Sequence, residues 1–110
     1  MVNCTCVRVP VYRSHSESIT IETERELNPE KARELLSGAP GVKLFDDPSR
    51  NEYPMPVDTS NGDLIWVGCI RRDISALNSL TFWCAGDQIR KGAALNAVQI
   101  AEKMAEMGIL

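Results

Sequence analysis

The residues that could do chemistry are few, and they lie in two stretches of the chain. His15 is the only histidine. Imidazole is the one side chain whose unperturbed pKa lies near neutrality, so His15 is the candidate for moving protons. Flanked by Ser14 and Ser16, it reads either as an acid/base group at a strand end or as a surface imidazole. Arg8 lies upstream in a run of valines and cysteines. A guanidinium there is costly to bury without a partner, and its planar fork fits a carboxylate. That carboxylate belongs either to a substrate or to a nearby glutamate. Gln88 stands just before the last predicted helix. Its carboxamide both donates and accepts, which suits another amide such as that of nicotinamide; it also reads as an ordinary polar residue at a helix start. Asp87 beside it reads as the cap of that helix.

The four cysteines are Cys4, Cys6, Cys69 and Cys84. Zinc sites use closely spaced ligand pairs, typically C-x-x-C, whereas here one pair is C-x-C and the other two thiols stand alone. The expectation is four free thiols, mostly buried, in a reducing compartment, with no metal. The nucleotide-binding patterns G-x-G-x-x-G and G-x-x-x-x-G-K-[ST] are absent. Twelve basic residues against 15 acidic ones leave a net charge of −3, and the basic residues are scattered. Nothing draws such a chain to a phosphate backbone, so nucleic acid is not an expected partner. No apolar run reaches the length of a membrane span, and the start lacks the charged and apolar regions of a signal peptide. The expected location is the cytoplasm.

The elements that must position these residues follow from periodicity. Cys4 to Val11 is β-branched and alternating, and reads as a strand with Pro10 at its edge. A second strand runs from about Ser16 to Glu24, with Ile19 and Ile21 on one face. Asn28-Pro29-Glu30 starts a helix, with Asn28 as cap and Pro29 in the first turn, and Gly38, Pro40 and Gly41 end it. Val42 to Phe45 reads as a short strand, and Asp46 to Gly62 as a long loop. Leu64 to Ile74 reads as a strand with Leu64, Trp66, Ile70 and Ile74 sharing a face. Leu80 to Ala85 follows, with Leu80, Phe82 and Cys84 opposed to Trp83. A helix from about Ile89 to Met107 carries an apolar stripe of Ile89, Ala93, Ala97, Ile100, Met104 and Met107. This order predicts one α+β unit over 1–110: an open, mostly antiparallel or mixed sheet with helices on one side. A straight strand would part Arg8 from His15 by roughly 23 Å, at about 3.3 Å per residue. A shared site therefore requires a bend near Tyr12 to Ser14.

Five blocks, in order, resemble the C-terminal region of bacterial aspartate-semialdehyde dehydrogenases. They are Cys6-Val7-Arg8-Val9-Pro10-Val11 with His15-Ser16-Glu17, Asp46-Asp47-Pro48, Tyr53-Pro54-Met55-Pro56, Val67 to Asp73, and Gly86 to Glu102. The resemblance runs from about Cys4 to Glu102. It implies an NADP-dependent enzyme that reduces L-aspartyl 4-phosphate to L-aspartate 4-semialdehyde, a step towards lysine, threonine and methionine. It implies a cysteine nucleophile, with His15 as acid/base, Arg8 as the anchor for the substrate carboxylate and Gln88 near the nicotinamide. It also implies a homo-oligomer formed through this domain.

Departures from the family pattern bear on that reading. Ser14 stands where relatives have Gly or Ala, and Cys69 where many have a basic residue. Counterparts of the family's Rossmann domain and nucleophilic cysteine segment are absent from the sequence, and none of its cysteines has the nucleophile's context. The expectation is a partial domain, inactive alone, with its terminal-helix stripe exposed. The alternatives are a non-enzymatic dimerisation or interaction module, and a piece of a related acyl-phosphate reductase such as N-acetylglutamyl-phosphate reductase.

Overall fold

A computed structural model describes residues 2–109; the ends of the expected unit, Met1 and Leu110, lie outside the described residues. The chain folds as an α+β unit around a four-stranded mixed sheet. The strands are β1 (His15–Glu22), β2 (Val42–Leu44), β3 (Ile65–Arg72) and β4 (Ser79–Gly86). Their order across the sheet is β1-β4-β3-β2. β1 and β3 each pair antiparallel with β4, and β2 runs parallel to β3. The helices are α1 (Pro29–Ser37), α2 (Pro56–Thr59) and α3 (Leu95–Glu106).

Alternation along β4 turns Leu80, Phe82 and Cys84 toward the core, as expected from the sequence. Val67 and Ile70 of β3 and Ala32 of α1 complete its buried centre, with Ile21, Leu36, Val42 and Leu44 packed around it. Asn28 caps α1 by accepting from the Lys31 N–H at 2.7 Å, with Pro29 at the first position. The opposite face of the sheet is covered near Gly68 and Trp83 by the segment leading into α2: Trp83 Nε1 donates to the Pro54 carbonyl at 3.0 Å.

Several sequence expectations are corrected. Cys4 to Val11 forms no strand; it is exposed and joins no sheet edge among the described residues, and its end bends at Pro10, with the Val11 N–H donating to the Val9 carbonyl at 2.9 Å. Alternation predicts a pleated segment, but only a partner edge turns it into a ladder. Cys4 and Cys6 are consequently exposed rather than buried, with their sulfurs 3.6 Å apart. Cys69 and Cys84 are half-buried, and all four thiols are free.

Leu64, Trp66, Ile70 and Ile74 do not share a face. Leu64 and Ile74 fall outside β3 and are exposed. Cys69 adopts a left-handed φ of 54°, and the pairing with β4 shifts between Gly68 and Arg71. This bulge inserts one extra residue and reverses the alternation, so Val67 and Ile70, three apart, both reach the core.

The Asp46–Gly62 stretch contains a 3₁₀ turn at Pro48–Arg50 besides α2. The terminal helix opens with a π turn over Arg90–Ala94, where Gly92 N–H reaches the Asp87 carbonyl at 2.8 Å and Ala94 N–H the Ile89 carbonyl at 3.2 Å. Its apolar stripe stands open: Ile89, Ile100 and Met107 are 57%, 53% and 63% exposed. On another face of this helix Lys91 Nζ donates to Asn96 Oδ1 and Gln99 Oε1.

The β3–β4 connection carries a pH-sensitive contact. The Asp73 carboxylate accepts from the Ser75 hydroxyl, from Thr81 Oγ1 at 2.6 Å and from the Ser75 N–H at 2.7 Å. These donors, the Ser75 hydroxyl first and Thr81 next, lower its pKa from 3.8 to about 2. A depressed carboxylate stabilises the fold above its unfolded pKa, and that stabilisation is lost as pH falls through the folded value. The hairpin contact is therefore expected to hold above pH 4 and to weaken between about pH 4 and 2. Thr81→Val is expected to move the Asp73 midpoint upward toward 3.8, read from its carboxyl carbon by NMR. Identical midpoints in parent and variant would refute the assignment.

Candidate active site

The fold places His15 at the first position of the edge strand β1, opposite Gly86 at the end of β4. The chain enters β1 through bends at Tyr12 and Arg13 and a left-handed Ser14, φ 75°. The bend expected between Arg8 and His15 is present. A left-handed serine costs on the order of 1–2 kcal/mol relative to glycine, and it persists here because its surroundings hold it. Ser14 is buried. Its N–H donates to Gln88 Oε1 at 2.7 Å, and its Oγ accepts from Thr59 Oγ1 at 2.9 Å.

His15 and Gln88 line one cleft of about 250 Å³, together with Glu17, Ile65, Cys84 and Gly92. The structure thus brings together two of the three site residues predicted from sequence. Arg8 is exposed on the irregular segment before β1 and makes no hydrogen bond or ion pair among the described residues. Gln88 does more than start a helix, because its carbonyl oxygen is spent on the residue before the histidine.

Asp87 is completely buried. Its Oδ1 caps the helical turn, accepting from the Ile89 and Arg90 N–H groups at 2.9 Å each. This is the cap expected from sequence. Its Oδ2 accepts from Arg13 Nε at 2.6 Å and from the Asn61 N–H at 2.7 Å. The Arg13 guanidinium first, and these backbone donors after it, hold the carboxyl well below the usual carboxylate range.

A second carboxylate organises the sheet. Asp46 accepts from the Cys69 N–H at 2.7 Å and the Ile70 N–H at 3.3 Å, and from Arg33 Nε at 2.8 Å. Arg33 also donates to the Ile70 carbonyl at 2.7 Å. The bulge at Cys69 is therefore tied to α1 by an ion pair. Sequence reasoning missed Arg13, Asp46 and the second role of Asp87; the bend that a shared site requires near Tyr12 to Ser14 is the one local pointer to the left-handed turn.

Three of the thiols, Cys4, Cys69 and Cys84, are shifted away from the thiolate that attack requires. Burial, then Glu17, pushes the Cys84 thiol up; burial, then Asp46, does the same for Cys69. The neighbouring Cys6 thiol raises Cys4. A nucleophilic cysteine needs the opposite shift. Among the described residues, no group of three or more His, Cys, Asp or Glu side chains converges as a metal site. No helix among them is long and apolar enough to cross a membrane.

The fold and the cleft define an α+β domain that carries an acid/base candidate and a carboxamide on one wall. Comparison with known proteins gives that domain its family. Residues 1–91 match the family model described as semialdehyde dehydrogenase, dimerisation domain, and the chain belongs to that family. It is 52% identical over 109 residues to the aspartate-semialdehyde dehydrogenase of Aquifex aeolicus, covering 99% of this chain and 32% of the relative. The Synechocystis enzyme of the same name matches equally, at 52% identity over 99% of this chain and 32% of its own length. Among solved structures, aspartate semialdehyde dehydrogenase II of Vibrio cholerae complexed with ASA superposes with a TM-score of 0.83 at 39% identity, covering 93% of this chain and 30% of that one. The chain spans about a third of the length of these curated relatives.

Proposed function

We propose that this chain supplies the acid/base wall and the subunit-pairing domain of a cytoplasmic aspartate-semialdehyde dehydrogenase. The reaction is the NADP-dependent reductive dephosphorylation of L-aspartyl 4-phosphate to L-aspartate 4-semialdehyde, within lysine, threonine and methionine biosynthesis. The observation that carries the reading is the convergence of His15 and Gln88 on one cleft, in a chain about half identical to enzymes of that name.

In this reading His15 takes a proton on an imidazole nitrogen when a thiol is to attack, and the imidazolium so formed returns that proton in a later step. Its exposed position at the start of β1 leaves the ring open to the cleft. Arg8, which is exposed and lies outside the lining of this cleft, grips the substrate carboxylate through its fork. Gln88 has its oxygen committed to Ser14, so its amide hydrogens remain for a carboxamide oxygen, which fits nicotinamide. The cleft of about 250 Å³ is one wall of the site, and the role of Gln88 places the nicotinamide end against it. NADP, when bound, supplies or accepts hydride. The attacking thiol and the phosphate cradle come from outside the residues described here. Pairing with a second copy, the role in the family model's description, makes the chain part of a homo-oligomer.

The test is to assemble the chain with the remaining two thirds of a relative and follow NADP reduction with aspartate semialdehyde and phosphate. A rate that requires both pieces and both substrates is expected. A folded complex with no rate above buffer would overturn the reading.

A further inference from the structure

Asp87 uses more of itself than a helix cap needs. One oxygen, Oδ1, suffices for the cap at Ile89 and Arg90. The other, Oδ2, reaches back across the sheet end to Arg13 and to the Asn61 N–H. Arg13 lies two residues before His15, and Asp87 directly follows Gly86, the partner of His15 in the β1–β4 ladder. The two strand ends are thus tied at three successive levels: His15 beside Gly86, Ser14 N–H to Gln88 Oε1 at 2.7 Å, and Arg13 Nε to Asp87 Oδ2 at 2.6 Å. Thr59 closes the remaining side by donating to Ser14 Oγ at 2.9 Å. Ser14, at φ 75°, is the joint these ties hold. A joint in a conformation that a serine adopts only under constraint is where a change in the ties would redirect the following side chain.

We propose that Arg13 and Asp87 are positioning residues that aim the His15 imidazole into the cleft, by clamping the left-handed Ser14 between the ends of β1 and β4. The proposal rests on the reading of His15 as the acid/base group. The clamp touches neither substrate nor cofactor. It sets the direction in which the chain enters β1, and with it the place of the imidazole relative to the reacting atoms. Misplacement by about 1 Å is enough to cost rate in a proton-transfer step.

Arg13 is the better residue to change, because its side chain is 33% exposed whereas that of Asp87 is fully buried. Arg13→Gln removes the charge, and Arg13→Lys restores it; only Nε reaches Asp87, a single contact that an ammonium can replace. In the assembled enzyme, Arg13→Gln is expected to lower kcat about 10-fold while KM for both substrates stays within about 2-fold. Arg13→Lys is expected to recover kcat to within about 3-fold of the parent.

A second readout does not depend on turnover. His15 is the chain's only histidine, so isotope labelling of this chain gives one imidazole Cε1–H signal in the complex. That signal is expected to shift or broaden in Arg13→Gln and to return in Arg13→Lys. Parental kcat and an unmoved signal in Arg13→Gln would overturn the clamp. His15→Ala in the same assay separates the two failures: a parental rate there overturns the functional reading, whereas a lost rate beside an unaffected Arg13→Gln overturns the clamp alone.

Discussion

Replacing His15 by alanine is expected to lower NADP reduction by the assembled enzyme about 10²–10⁴-fold, the usual contribution of a positioned general acid/base. The loss should fall on kcat and kcat/KM together, because the proton moves in the transition state and the imidazole contributes little to ground-state binding. The variant should fold like the parent. His15 is exposed, its ring makes no hydrogen bond among the described residues, and its backbone pairs with Gly86 whatever the side chain. An alanine at a strand start alters neither the core nor the clamp on Ser14. The check is steady-state kinetics on parent and variant, with circular dichroism to verify equal folding. A variant that keeps the parental rate would remove His15 from the mechanism.

The parts of this protein legible in its sequence are those set by local rules. β4 alternates, so the pattern alone sets Leu80, Phe82 and Cys84 on one face, opposed to Trp83, and the fold turns that face to the core. α1 announced both ends, with Asn28 and Pro29 at one and Gly38 at the other. Asp87 was readable as a cap because capping acts over two or three residues. His15 is legible as the only imidazole, the side chain whose unperturbed pKa lies near neutrality, and Gln88 by its amide chemistry before a helix.

What escaped the sequence depends on contacts between distant segments. The Cys4–Val11 stretch has the alternation of a strand, but a ladder needs an edge to pair with, and the pattern carries no information about one. Cys69 breaks the parity of β3, yet a cysteine in left-handed backbone has no compositional mark, and its bulge exists because Asp46 accepts from the Cys69 and Ile70 N–H groups. Asp46 itself lies in a loop by every local criterion. Arg13 and Asp87 are 74 positions apart, so their ion pair could only be seen once the strand ends were brought together. Arg8 was suspect for its chemistry, and the bends at Tyr12 and Arg13 make its approach to His15 feasible without fixing it.

Gly68→Ala is expected to destabilise the fold by about 3 kcal/mol, the upper end of the usual cost of overpacking. A Cβ on Gly68 would lie 2.3 Å from the Phe45 carbonyl oxygen and 2.7 Å from Pro54 Cδ. Neither neighbour can rotate away: one is backbone and the other a ring closed on backbone. Each is also committed elsewhere. The Phe45 N–H donates to the Val67 carbonyl at 2.8 Å, extending the parallel ladder beyond β2, and Pro54 accepts from Trp83 Nε1. Moving Phe45 outward drags Asp46, and with it the carboxylate that holds the Cys69 bulge and Arg33. Moving Pro54 breaks the tryptophan contact. A single methyl therefore strains the bulge, the ladder and the loop cover together, because all three meet over this one residue. Gly38→Ala is the matched control: nothing lies within 4 Å of its Cβ position, and its φ of −97° is ordinary for alanine. It is expected to be neutral or slightly stabilising through the unfolded state. Denaturant unfolding followed by tryptophan fluorescence reads both. A Gly68→Ala midpoint equal to that of Gly38→Ala would mean the loop over the sheet yields without cost, and that the close approach of Phe45 and Pro54 to β3 is not what holds this face shut.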